Sequence, residues 1–151
     1  MLKNTLKKLL IIAGIVTVDI ATKILLEGKS ITLINGVLSF ESTHNTGAAW
    51  SMFDGRMGLF ISGAIVFVIT MFLFDYFAKI QNKFYFAGFV LMLSGAIGNL
   101  IDRAVYGYVR DFIKLDFINF PIFNIADMAL VAGCIIFSIF ILFMFDTKKK
   151  V

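Results

Sequence analysis

One cysteine, one proline, one histidine and one tryptophan occur in 151 residues. A lone Cys134 cannot form an intrachain disulfide and His44 alone cannot build a zinc site, so no disulfide scaffold or metal centre is expected. Proline and low-complexity tracts are too scarce to make a linker, which leaves one domain over residues 1–151 without internal repeats. Charge is also scarce. Charged residues are 16% of the chain against 60% hydrophobic ones, and mean hydropathy is +0.92, which excludes an ordinary soluble domain and indicates an integral membrane protein. The net charge of +4 comes from lysines at the chain ends and in one short loop. No basic face with interleaved aromatics follows from it, so nucleic acid is not an expected partner.

What is abundant is long apolar runs. Windows near the roughly 20 residues needed to cross a bilayer fall at Leu6–Leu26, Met57–Phe77, Phe84–Ile101 and Ile125–Phe145. They predict a four-helix membrane fold. Lys3, Lys7 and Lys8 precede the first span, Lys79 and Lys83 fill the connection between the second and third, and Lys148, Lys149 and Lys150 follow the fourth. The positive-inside rule then places both termini and the middle connection in the cytoplasm. Leu9–Val18 after basic residues also fits a secretory signal, but the run continues past Asp19 to Leu26 and is read as the first span. Cys134, within the last run, is expected to be a small buried hydrophobe.

The connections Glu27–Arg56 and Asp102–Asn124 must then lie outside. In "ITLINGVLSF", Asn35-Gly36 between apolar stretches predicts a two-residue hairpin, hence a small β-hairpin or sheet on the outer membrane surface. Trp50 is expected to sit in the headgroup layer, as a simple anchor or as part of a functional surface.

An aspartate near the middle of a bilayer costs about 2.5–3.5 kcal/mol, so each one needs a partner or a function. Asp19 and Lys23 are four apart on one face of the first span and can pair there. In "SGAIGNLIDRAVYG", Gly95 and Gly98 allow close helix approach, and Asn99, Asp102 and Arg103 recur on the face that follows. The alternative for Asp102 and Arg103 is an interfacial ion pair with a phosphate contact. All these groups reach the outer interface, where Asp127 opens the fourth span and Asp111 lies in the preceding loop.

A helix N-terminus stabilises a carboxylate such as Asp127 by about 0.3–1 kcal/mol. With Asp111 folded back beside it, like-charge repulsion leaves the pair holding one proton. Such a pair can activate water with one oxygen and polarise a carbonyl with the other, which is the chemistry of peptide hydrolysis. Asn124 can cap the helix or hydrogen-bond a substrate carbonyl. Asp116 is read as a solvated loop residue.

These blocks, "VDIATK", "NTGAAWS", "GAIGNLIDR", "VRDFI" and "FNIAD", occur in the order found in bacterial lipoprotein signal peptidases, the signal peptidase II family, which the chain resembles over nearly its whole length. The resemblance implies an aspartyl endopeptidase of the bacterial cytoplasmic (inner) membrane, active at the outer face without a cofactor. It would cleave lipid-modified prolipoproteins on the amino side of a diacylglyceryl cysteine, working among membrane lipids as a monomer. It also implies Asp111 and Asp127 as the catalytic pair. Asn45, Gly47, Asn99, Arg103 and Asn124 would contact substrate, and Asp19, Lys23 and Asp102 would support the site. Two departures stand out: Met128 replaces a small hydroxyl residue after the second aspartate, and Arg110 replaces an apolar residue before the first. The second predicts a guanidinium lowering the pKa of Asp111. The rival readings are a proton-coupled carrier with Asp19, Lys23 and Asp102 as relay, and an assembly factor that docks partner helices.

Overall fold

The computed structural model describes residues 2–47 and 55–144. Trp50 and the residues beside it, and Lys148 to Lys150, lie outside the described residues. Along the chain the elements are helix α1 (Leu2–Leu26), strands β1 (Ser30–Ile34) and β2 (Leu38–Asn45), helices α2 (Met57–Ala78) and α3 (Lys83–Tyr106), strand β3 (Val109–Leu115) and helix α4 (Ile125–Met144). Each helix is long and apolar enough to cross a membrane. The helices start and stop on local signals. Asn82 caps α3 through its side chain, which accepts from the Phe84 and Tyr85 N–H groups. Gly107, at φ 77°, ends the same helix and turns the chain into β3.

Burial decides which helix is central. Of the apolar window, 56% is buried in α3 and only 6% in α2, so α3 is the hub and α2 presents most of its surface to lipid. α3 packs against α1, α2 and α4. Its closest approach is to α4, where a Cβ added to Gly95 would meet the Ala126 carbonyl oxygen at 2.3 Å. No larger residue fits without moving α4 away. The core closes on Tyr85, Phe89, Leu93 and Phe140.

The strands form one antiparallel sheet in the order β1-β2-β3. The hairpin differs from expectation. Val37 N–H donates to the Ile34 carbonyl at 3.0 Å, so Asn35-Gly36 does sit at a turn, but pairing resumes only at Ile34↔Leu38. Of the two central residues only Gly36 has positive φ, whereas the two-residue type I′ turn needs both; the loop therefore takes a third residue.

Three residues depart from the sequence expectation. Lys83 begins α3 instead of sitting in a loop. Lys8 lies within α1, buried, and its ammonium pairs with Asp75, because a cation at that depth needs a counter-ion more than it needs water. Cys134 is exposed on the outside of α4, since Gly133 beside it takes the position facing Met92. Asp116 is the exposed turn residue that was expected, and it also accepts a hydrogen bond from the Ser39 hydroxyl.

Candidate active site

Asp111 is not in an irregular loop. It lies on β3, paired with Thr43 of β2, and only this long-range pairing gives the segment its extended form. After β3 the chain turns back, and Phe123 bridges to Ile113 with N–H···O bonds of 2.7 and 3.1 Å in the two directions. That bridge sets Asn124, the next residue, directly beside Asp111.

Asn124 opens α4. Its side-chain oxygen accepts the Asp127 N–H at 2.9 Å, while Asp127 Oδ2 accepts the Asn124 N–H at 3.1 Å. This reciprocal arrangement is a capping box, and it fixes the Asp127 carboxylate over the helix N-terminus. The other end of the Asn124 amide donates from Nδ2 to Asp111 Oδ1 at 2.6 Å and to Asn99 Oδ1 at 3.1 Å. Thus one residue holds both carboxylates. The remaining oxygens are held the same way: Asn45 Nδ2 donates to Asp111 Oδ2 at 3.0 Å, and Asn99 Nδ2 to Asp127 Oδ1 at 2.7 Å. All four oxygens accept from neutral amides, and no ion pair to either residue occurs among the described residues.

The layer beneath is ionic. Lys23 Nζ lies 2.8 Å from Asp19 Oδ2 and 3.3 Å from Asp102 Oδ2, and it donates to Asn99 Oδ1 at 3.1 Å. An ammonium on Asn99 Oδ1 leaves the amide nitrogen of Asn99 turned toward Asp127. Asp19 Oδ1 accepts the Ala126 N–H at 2.8 Å, so α1 also fixes the first turn of α4. Gly98 makes room for this, because a Cβ there would stand 2.7 Å from Asp19 Oδ2. That oxygen has no well-aligned hydrogen bond among the described residues; the nearby ammonium charge compensates it instead.

Arg110 overturns one expectation. Its side chain turns away from Asp111 and grips Asp102, with Nη2 to Oδ1 at 2.6 Å and Nε to Oδ2 at 3.3 Å, and its guanidinium stacks 4.3 Å from the Tyr106 ring centroid. Adjacent residues on a strand point to opposite faces, so the neighbour in sequence is not the neighbour in space. The pKa of Asp111 is accordingly raised, to about 7. Burial is the largest cause and the Asp127 charge the next, against the hydrogen bonds from Asn45 and Asn124.

Arg103 and Gly47 meet at the rim. Arg103 Nη2 donates to the Gly47 carbonyl at 3.2 Å and the guanidinium lies 5.0 Å from the Phe60 ring centroid. Arg103 Nε is buried with no hydrogen-bond partner among the described residues. Gly47 N–H in turn donates to Asn45 Oδ1 at 3.0 Å. The ten candidate residues Asp19, Lys23, Asn45, Gly47, Asn99, Asp102, Arg103, Asp111, Asn124 and Asp127 therefore form one connected network. Sequence reasoning missed Arg110 as the partner of Asp102; the available signal was its parity in β3. It also missed Ala126, which acts through its main chain and leaves no side-chain signal. Met128 is exposed to 52%, outside the network.

Comparison with known proteins agrees in fold and sequence. The family model described as signal peptidase (SPase) II matches residues 11–143. A lipoprotein signal peptidase of Lactobacillus gasseri is 44% identical over 119 residues, 78% of this chain and 76% of the relative. One from Lactiplantibacillus plantarum is 41% identical over 136 residues, 89% of each. A bacterial membrane enzyme solved by the in meso method superposes with a TM-score of 0.84 at 35% identity, covering 96% of this chain and 92% of that one.

Proposed function

This chain belongs to the signal peptidase II family, and on that premise we propose that Asp111 and Asp127 are the catalytic pair with which it cleaves lipid-modified prolipoproteins. Membership makes it a multi-pass bacterial membrane enzyme that removes signal peptides from prolipoproteins. The observation that carries the residue assignment is Asn124, which bonds the Asp111 carboxylate through its side chain and the Asp127 carboxylate through its main chain. Neutral amides orient the oxygens without supplying the positive charge that would hold both acids ionised. The pair thus shares one proton.

In the proposed reaction the ionised carboxylate takes a proton from water as the water oxygen attacks the scissile carbonyl carbon. The protonated carboxyl gives its proton to the carbonyl oxygen, and a gem-diol forms. Collapse breaks the C–N bond, with one carboxyl proton passing to the leaving nitrogen and one diol proton returning to the pair. Asn45, Asn99 and Asn124 keep the oxygens aimed throughout. Arg103 Nε, a buried donor with no hydrogen-bond partner among the described residues, is read as the group that meets a substrate carbonyl, with Gly47 beside it.

The single domain works as a monomer at the outer face of the inner membrane, where the scissile bond emerges from the bilayer and water is at hand. Its substrate is an apolar helix carrying acyl chains, which enters sideways between helices. The cut falls on the amino side of the diacylglyceryl cysteine. Incubating the purified protein in nanodiscs with a diacylglyceryl prolipoprotein and with its unmodified precursor tests this reading. Only the lipidated form should be cut; equal turnover of both would overturn the assigned substrate.

A further inference from the structure

α1 and α2 each pack on α3, and a cavity of about 510 Å³ opens between them at the end of the bundle away from the aspartate pair. Lys8 in its wall stands 15 residues before Lys23 on the same helix, a separation of about 22 Å. On α2 the wall is Ile69, Phe72 and Leu73, spaced along one apolar stripe. The charged residues of the wall are Lys8 and Asp75, paired with each other, and Lys79, with Asn4, Thr5 and Gln81 as neutral polar neighbours.

Lys79 has an unusual backbone. At φ 50° it is the one non-glycine with positive φ among the described residues. A glycine would adopt this left-handed helix end more readily, yet a lysine stands there and lines the cavity.

Size and charge select the occupant. About 510 Å³ holds only about one turn of a helix 10–12 Å across, so a transmembrane segment does not fit. An acyl chain does, because the stripe already faces hydrocarbon. Two lysines stand against one carboxylate in the wall, which repels basic segments and favours an anion. We propose that this cavity binds one anionic phospholipid, its acyl chain along Ile69, Phe72 and Leu73 and its phosphate at Lys79.

The test is native mass spectrometry of the whole protein in detergent, with equal amounts of phosphatidylglycerol and phosphatidylcholine of matched chains. One phosphatidylglycerol should be retained per chain in preference, by about fivefold for one cation near the headgroup. Lys79→Glu should abolish the preference while cleavage of a detergent-solubilised prolipoprotein continues. Leu73→Trp, at a position 52% exposed, should fill the cavity and remove retention of both lipids. Equal retention of the two lipids, an unchanged preference in Lys79→Glu, or one lipid shared between two copies would overturn the proposal.

Discussion

Around Tyr85, near one end of α3, a lysine, a carboxylate and a phenol close on one another, whereas near the other end four carboxylates meet three cations. In the first cluster Lys8 and the Tyr85 hydroxyl both reach Asp75 Oδ1, and the Lys8 ammonium lies 4.9 Å from the Phe89 ring centroid. Its charges cancel. In the second, Asp19, Asp102, Asp111 and Asp127 face Lys23, Arg103 and Arg110. One negative charge is left over, and it falls on the pair that only amides hold. Burial tolerates charge that is cancelled locally; a surplus carboxylate recruits a proton, and that proton is what chemistry can use.

The largest effect should come from removing the surplus. Asp111→Asn and Asp127→Asn, made separately, are expected to lower kcat by about 10²–10⁴, with insertion and helical content unchanged. An unaffected cleavage rate in either variant would break the contrast between the two ends.

The balanced cluster should respond in stability and not in rate. Lys8→Met strands Asp75 in an apolar setting and is expected to cost about 3–5 kcal/mol in detergent unfolding. The double variant Lys8→Met with Asp75→Leu should recover most of that, with cleavage close to normal in both. Loss of catalysis without loss of stability would erase the distinction.

Acidity offers a finer test. The Asp111 carboxyl, pushed up to about 7, holds its proton in the folded protein after the unfolded chain has released one near the ordinary value of about 3.9. The folded state then binds the extra proton, so stability should fall as pH rises from about 4 to about 7 and level off above. Asp111→Asn should flatten that slope in pH-dependent melting. Cleavage should decline on the alkaline side of about pH 7 as the pair loses its shared proton. The smallest effect belongs to Met128→Ser: the side chain points out of the network, and kcat should stay within about twofold, as for other surface changes.

The spans, the cap at Asn124 and the glycine contacts of α3 were legible because each rests on neighbours within a few residues: hydropathy, an Asn-x-x-Asp spacing, a missing Cβ. β3 was not, since "VRDFIKL" is extended only while it pairs with β2, more than 60 residues earlier. The partners of Lys8 and Arg110 were hidden for a related reason. Asp75 is 67 residues from Lys8, and Arg110 lies beside Asp111 in the chain but on the opposite face of the strand.

The order of residues by itself determined that the chain lives in lipid, how many times it can cross, and which side chains were too polar to be there without cause. Which of those side chains neutralise one another, and which two carboxylates are held by amides alone, was decided only in the folded bundle. Local sequence sets propensity and hydropathy, whereas the state of a buried charge depends on what stands within a few ångströms of it, and packing alone brings those groups together.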